Sequence, residues 1–191
     1  MMRVASTLVL VVMLLANTAC HDKNGRETKT NAQAAINSFP SNQGLPPLDS
    51  SRFTVIPYDL ERDKHRLSKV KGASLTAQEI VFTEYLLNVC VSKHNLEQRI
   101  KLQKMRETHP KITLKESDFI INLPNYKRQL VAFYNGKGEK KVWVNCFCKP
   151  LNGTEWRRKV VEVDDGGNCY FNTVVDLRRM KCLGLSINSV A

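Results

Sequence analysis

The chemistry that this sequence offers first is that of its six cysteines. Apart from Cys20 these are Cys90, Cys146, Cys148, Cys169 and Cys182, and five cysteines form at most two disulfides. Cys146 and Cys148 lie two residues apart on a predicted strand, where their Cα atoms stand about 6.5–7 Å apart and bond poorly to each other. Either one can pair instead with Cys90, Cys169 or Cys182, and the sequence leaves that pairing open.

Metal binding and catalysis find little support in the other residues. A zinc site made from Cys146, Cys148, Cys169 and a histidine lacks the usual ligand spacing. Residues 164–168 (DDGGN) carry possible calcium ligands, but this composition is more typical of a turn. The sequence has no nucleophile-elbow, phosphate-loop or dinucleotide-binding motif. We therefore expect no catalytic residues, no metal and no cofactor, with buried cysteines serving as small hydrophobic side chains.

The N-terminal 20 residues, MMRVASTLVLVVMLLANTAC, predict export. Arg3 precedes an apolar run over residues 4–16, and small residues then lead to Cys20, so that residues 1–19 have the parts of a signal peptide. Ala19-Cys20 resembles the end of a bacterial lipobox, although Asn17 stands where leucine is usual. We expect Cys20 to carry lipid such as palmitate, residues 20–51 to form a polar, flexible tether of about 30 Å reach, and residues 52–191 to form one domain.

The strongly basic balance of the chain, +11 at pH 7, indicates either a solvated basic surface or a surface that attracts an acidic partner. Export excludes nucleic acid and favours an acidic glycan, lipid or protein of the envelope. The basic residues are densest beside an aromatic one at Trp156, Arg157 and Lys159, which we name as candidate binding residues. If these residues begin a strand, Arg157 and Lys159 point to one face and Arg158 to the other.

The first well-marked element is a helix that begins after Thr76. Thr76 and Glu79 have the spacing of a capping box. At 100° per residue, Phe82, Leu86 and Val89 fall on one apolar stripe, which we expect in the core, and a second stripe lies almost opposite. We therefore expect this helix to be covered on both sides.

A second helix is predicted over residues 96–106. Asn95 separates it from the first, Leu96 and Ile100 face inward, and the residue before Pro110 ends it, since that position avoids helical angles.

The C-terminal half predicts a sheet. Alternating or apolar runs indicate strands over residues 52–59, 127–134, 140–148, 159–163, 169–175 and 180–188, with a charged loop over 60–72. Asn135 to Gly138 supply a hairpin turn. On the last strand, Leu183, Leu185 and Ile187 are expected on the inner face.

Residues 126–191 resemble a family of small lipoproteins and secreted proteins of Bacteroidetes. The resemblance lies in YKRQLVAFYNGKGEKKVWVNCFC, a following tryptophan, VVEVDDGGNCYFN, and a last strand ending near Ile187-Asn188. It implies an envelope location and a compact α+β domain, and it carries over no catalytic residue.

These observations predict an α+β fold with one or two helices packed on a four- to five-stranded antiparallel sheet, resembling the cystatin-like architecture. An all-β core with peripheral helices is the alternative. We expect a lipoprotein of the bacterial cell envelope, anchored by lipid toward the periplasm or on the cell surface, that acts as a non-enzymatic binding or inhibitory module. The alternative function is a small secreted thiol enzyme or hydrolase that uses an exposed Cys146 or Cys169.

Overall fold

The computed structural model describes residues 48–149 and 153–189. The signal peptide predicted over 1–19, the lipid site Cys20 and the tether as far as residue 47 lie outside the described residues. The elements, in chain order, are β1 (Phe53–Val55), α1 (Leu60–Asp63), β2 (Lys71–Gly72), α2 (Ala77–Thr108), β3 (Lys127–Tyr134), β4 (Lys140–Phe147), β5 (Tyr170–Asp176) and β6 (Lys181–Ile187).

The α+β class is confirmed, but the sheet differs from the one expected. It has six strands in the order β1-β3-β4-β5-β6, with β2 also paired to β3. Strands β3 to β6 form an antiparallel meander, whereas β1 runs parallel to β3. A parallel neighbour needs a long crossover connection, and α2 supplies it between β1 and β3. The sheet is therefore mixed, and the prediction of four or five antiparallel strands is wrong in this respect.

Helix α2 begins with the predicted capping box. The Glu79 amide donates to Thr76 Oγ1 at 3.2 Å, and the Thr76 amide donates to Glu79 Oε2 at 2.8 Å. The helix ends at Thr108, next to the residue before Pro110, as predicted. The expected break at Asn95 is wrong, because the helix continues through it. Its side chain instead donates to the Ile121 carbonyl at 2.8 Å and accepts from the Ile121 amide at 2.9 Å.

Both apolar stripes of α2 contribute buried residues, among them Leu87 and Val91 of the second stripe, but parts of the helix are exposed. Phe82 and Leu86 are buried as expected, but Val89 is 49% exposed, so its placement in the core is wrong. Leu96 and Ile100 were also expected inward and are exposed. No helix among the described residues is long and apolar enough to cross a membrane.

The opposite face of the sheet is covered by chain that is mostly irregular. Ile56 and Leu67, from the segment between β1 and β2, pack with Val131, Phe133 and Trp143 of the sheet in one apolar cluster. This segment contains α1 and β2 where only a charged loop was predicted. The sheet is thus buried on both sides, which agrees with the bulky side chains on both faces of β4.

The strand predicted over residues 159–163 is absent from the structure, which describes all five of these residues. The segment lies across the sheet rather than beside a strand. The Val161 amide donates to Gln129 Oε1 at 2.9 Å, and the Val161 carbonyl accepts from Asn145 Nδ2 at 2.8 Å. Because side chains of the sheet satisfy these backbone groups, the segment does not need a neighbouring strand.

Strand β6 contains an irregularity that corrects one further prediction. The register with β5 shifts between Thr173 and Val175, and Gly184 adopts a positive φ of 103°. Thr173 Oγ1 donates to the Gly184 carbonyl at 2.5 Å across this bulge. The extra residue turns Leu183 outward, where it is 50% exposed, so its expected place on the inner face is wrong.

Candidate functional site

Four of the five cysteines that follow Cys20 form disulfides. Cys90 of α2 bonds to Cys182 of β6, and Cys148 bonds to Cys169. Cys146, the one free thiol among the described cysteines, is buried. Burial raises the pKa of this thiol; Arg128 opposes the shift and Glu84 adds to it. Thus neither proposed nucleophile, Cys146 or Cys169, is an exposed thiolate in this structure.

A cleft lies on the helix side of the molecule. It has a volume of about 390 Å³, which falls in the usual range for small-molecule sites. Its apolar walls are formed by Leu48, Phe53, Val81, Tyr85, Leu123 and Pro124, and its polar lining by Asp49, Arg52, Glu84, Asn88 and Arg128. It therefore lies between α2 and the segment that leads into β1. We call it the helix-side cleft.

An ion pair lines the inner part of the helix-side cleft. Arg128 Nε lies 3.2 Å from Glu84 Oε2, and both side chains are largely buried. The guanidinium also donates to the carbonyls of Tyr126 and Leu123, each at 3.3 Å. Glu84 Oε1 is buried without a hydrogen-bond partner. Arg128 Nε is likewise buried without a hydrogen-bond partner, so the two side chains are joined by charge attraction.

Burial governs the titration of this region. It raises the pKa of Glu84 above its ordinary value of 4.5, and the charge of Arg128 only partly opposes the shift. Burial, with a smaller contribution from Cys146, raises the pKa of the neighbouring Tyr126 to about 12. The Tyr126 hydroxyl donates to the Asn168 carbonyl at 2.8 Å. Burial thus opposes ionisation of both groups, and the Tyr126 hydroxyl is already bonded within the protein.

The predicted binding residues Trp156, Arg157 and Lys159 lie close in sequence but differ in surroundings. Trp156 is 5% exposed and packs edge-on against Phe147, with ring centroids 5.8 Å apart. The chain here forms a 3-10 turn over Glu155–Arg157, so the alternation expected of a strand is wrong. Lys159 is exposed and lies 3.7 Å from a Glu155 carboxylate oxygen.

Arg157 is exposed, and it also forms hydrogen bonds to the backbone of the segment that leads into β1. Its guanidinium lies over the Trp156 ring, 4.6 Å from the centroid. Its nitrogens donate to the carbonyls of Ser50, Ser51 and Phe53 at 3.3 to 3.5 Å. Arg157 therefore fixes the entry of the chain into β1. Because the Trp156 ring is buried and covered by the Arg157 guanidinium, it offers no open face to a ligand.

The other basic runs are largely neutralised by buried carboxylates. Lys141 Nζ lies 3.0 Å from Asp176 Oδ2, and an Arg178 nitrogen lies 3.3 Å from Glu139 Oε1. Arg179 reaches the same two carboxylates. These cations form an internal network at the ends of β4 and β5 and add little to an anion-binding surface.

The residues of the helix-side cleft were missed by reasoning from the sequence. Glu84 stood out only as one of three polar residues on an otherwise apolar helix, and Arg128 belonged to a basic run at a strand start. Both elements are predicted to be buried, and buried charged residues usually pair with an opposite charge. The sequence could therefore have suggested that Glu84 and Arg128 form an ion pair. Across the described residues, no group of three or more potential metal-ligating side chains is close enough to hold an ion.

No protein-family model, curated protein or solved structure matches the chain. The resemblance of residues 126–191 to small lipoproteins of Bacteroidetes stays a prediction.

Proposed function

We propose that this chain is an exported, lipid-anchored binding module of the bacterial cell envelope, and that the helix-side cleft is its ligand site. Residues 1–19 and Cys20 motivate the export and the anchor. The bonds Cys90–Cys182 and Cys148–Cys169 are compatible with an oxidising compartment outside the cytoplasm. Two or three acyl chains on Cys20 would suffice for stable attachment to a membrane.

The observation that carries the binding proposal is the Glu84–Arg128 ion pair, which lines an apolar-walled cleft. A ligand that places a polar group against the exposed part of this pair and an apolar group beside Val81 and Phe53 would use both features. Specific pockets combine apolar walls with a few polar groups in this way. The ligand class is therefore an amphipathic molecule, or a protruding side chain of a partner protein if the module is inhibitory.

The finer architecture belongs to the same proposal. One long helix laid across an antiparallel meander supports a cystatin-like arrangement, and the parallel β1 departs from it. A cystatin-like fold would favour the inhibitory form of the function. No enzymatic role is proposed, since the two thiols considered for one are buried or bonded.

An aromatic amine such as 1-aminoanthracene tests the cleft directly, because it combines apolar rings with one donor and brightens in an apolar site. We expect its fluorescence to rise with the parent protein and to fail to rise with Val81→Trp, which fills the cleft. Leu183→Trp adds the same bulk to an exposed position on β6 and should respond like the parent. An equal response from both variants would place the probe elsewhere and refute the cleft as the site.

The anchor has its own test. Cys20→Ala should move the protein from the membrane fraction to the soluble fraction of the host. A Cys20→Ala protein that still sediments with membranes after a high-salt wash would contradict the lipid anchor.

The face around Trp156, Arg157 and Lys159 remains our proposed contact for an acidic glycan or lipid. Exposed charges are screened beyond about 8–10 Å at physiological salt, so this binding should weaken steeply as salt rises. Affinity for vesicles containing anionic lipid should fall more for Arg157→Gln and Lys159→Gln than for Lys93→Gln, which removes the same charge from an exposed position on α2. Equal small losses at the three positions would indicate diffuse attraction and no site.

A further inference from the structure

A second cleft, of about 200 Å³, lies on the side of the sheet opposite α2. Trp143, Asn145, Tyr170, Asn172 and Asn188 line it. Asn145 of β4 and Asn172 of β5 are directly opposite each other in the register. Asparagine is depleted in strands, so a facing pair on two central strands calls for an explanation. We call this region the asparagine cleft.

Each of the three asparagines is held by one end of its amide group. Asn145 Nδ2 donates to the Val161 carbonyl at 2.8 Å and to Gln129 Oε1 at 3.1 Å. Asn188 Nδ2 donates to the carbonyls of Val163 and Asp165. Because all of these partners are acceptors, they fix which end of each amide is the nitrogen.

Asn172 is held in the opposite sense. Its Oδ1 accepts from Trp143 Nε1 at 3.4 Å, which directs its nitrogen away from the indole. The remaining ends of the three amides, Oδ1 of Asn145 and of Asn188 and Nδ2 of Asn172, have no partner among the described residues and are not buried. The cleft therefore presents two acceptors and one donor whose orientations are fixed before any ligand binds.

The charges of the asparagine cleft disfavour an anion, although the chain as a whole is basic. Arg66 is the one arginine or lysine that lines it, and it already pairs with Glu162 and with the buried Asp63. Its guanidinium lies 5.0 Å from the centroid of the Trp143 ring. Asp164 adds a second carboxylate to the lining, with no ion pair to the described residues. Carboxylates thus exceed cations here.

We propose that the asparagine cleft binds an uncharged sugar residue. Sugar hydroxyls both donate and accept, so neighbouring hydroxyls can bond to an asparagine oxygen and an asparagine nitrogen at once. Tyr170 supplies an aromatic wall for the C–H surface of a ring, whereas the buried Trp143 ring is covered by Arg66 and acts by holding Asn172. The volume is below the range of about 300–1,000 Å³ for drug-sized ligands, which suits one ring and not a long chain. The site is separate from the helix-side cleft and does not depend on it.

Titration of the ¹⁵N-labelled protein with glucose, galactose, N-acetylglucosamine and glucuronate tests the proposal. We expect a neutral sugar to shift the side-chain signals of Asn172 and Trp143, and glucuronate to bind more weakly. Asn172→Asp keeps the oxygen that Trp143 needs but loses the free donor, and it should weaken sugar binding tenfold or more. Asn122→Asp introduces the same charge at an exposed asparagine elsewhere and should bind like the parent.

The thermal midpoint of each variant separates loss of the site from loss of the fold. Asn172→Ala provides a second test if the aspartate variant is unstable, and it should also lose the sugar. The proposal is wrong if no sugar shifts these signals, if Asn172→Asp and Asn172→Ala bind like the parent, or if glucuronate binds more tightly than glucose. It is also wrong if protonated glucosamine binds and glucose does not, since the carboxylates alone would then explain the attraction.

Discussion

The two faces of the sheet are covered in different ways. On one face α2 satisfies its own backbone hydrogen bonds and reaches the sheet through side chains alone, as in the disulfide from Cys90 to Cys182 and the ion pair of Glu79 with Lys140. On the other face the irregular segment over residues 156–163 cannot satisfy its backbone internally. The sheet therefore provides buried polar side chains for it, Gln129 above all. An irregular cover thus needs hydrogen-bonding side chains from the sheet where its backbone has no other partner, and a helical cover does not.

Removing the disulfide between Cys90 and Cys182 should have the largest effect, and the effect should fall on the helix side. The cysteines are 92 residues apart, and closing a loop of that length stabilises a fold by about 4–5 kcal/mol. The pair Cys148 and Cys169, 21 residues apart, should contribute about 3 kcal/mol. Urea unfolding of the two double alanine variants measures the difference.

Hydrogen exchange locates the same effect. Loss of the first disulfide should lower protection in α2 and leave the amide of Val161 protected. Equal loss of protection on both faces would show that the two covers are a single cooperative unit and would break the comparison.

Gln129→Met should be nearly as destabilising, and on the other face. Gln129 is fully buried, and its Nε2 donates to the carbonyls of Trp156 at 2.5 Å and Lys159 at 2.6 Å. Methionine has a similar shape but leaves these carbonyls and the Val161 amide without partners, at about 3–4 kcal/mol in total. Gln103→Met, on the exposed side of α2, should change stability by less than about 0.5 kcal/mol. A Gln129→Met protein with a parental denaturation midpoint would show that water replaces these bonds.

The difference between the helical cover and the irregular cover also explains how much of the fold could be predicted from the sequence. Helix α2 was predictable because a capping box, an apolar period and a proline are local signals. The segment over residues 159–163 read as a strand because KVVEV has strand composition, yet its partners are Gln129 and Asn145, at least 14 positions away in the chain. Leu183 was misplaced because a single bulge at Gly184 reverses an alternation that is otherwise correct. Long-range partners and one-residue shifts leave no local mark.

Two buried carboxylates, one on each side of the sheet, should respond to pH in opposite ways. Burial raises the pKa of Asp63, but hydrogen bonds from Arg62 and the Asp59 amide and the charges of Arg62 and Arg66 outweigh it, so the pKa lies below 3.8. The stability that Asp63 provides is therefore present above about pH 3.8 and is lost as the pH falls through the lowered value. Glu84, with its raised pKa, stabilises the fold best below about pH 4.5 and less as the pH rises through the raised value.

Unfolding of Asp63→Asn and Glu84→Gln between pH 2.5 and 7 measures both contributions. Asp63→Asn should be about 3 kcal/mol less stable than the parent at pH 6, because two arginines lose their buried partner, and the deficit should shrink toward pH 3. Glu84→Gln should improve relative to the parent as the pH rises above 4.5. Parallel pH profiles for the two variants would mean that the two faces do not differ in this respect.

The candidate sites show the same limits of prediction. Trp156, Arg157 and Lys159 were chosen because a basic run follows an aromatic residue, but sequence order does not reveal that Arg157 bonds to carbonyls at the start of β1. The asparagine cleft joins residues from β4, β5 and the C-terminal end, which come together only in the folded sheet. Asn145 and Asn172 carried one usable signal, since each is a poor strand former in the middle of a strand.

The smallest predicted effect separates Arg157 from Lys159. Arg157 donates to carbonyls of residues 50–53 and lies over Trp156, so Arg157→Gln should destabilise the fold by about 1 kcal/mol, a value kept low because the side chain is exposed. Lys159 has only an exposed pairing with Glu155, and Lys159→Gln should change stability by less than about 0.5 kcal/mol. Arg157→Lys, which keeps the charge but loses the planar fork, should behave like Arg157→Gln. If Arg157→Lys matches the parent, charge near Trp156 is sufficient, and the carbonyl bonds do not hold the entry to β1.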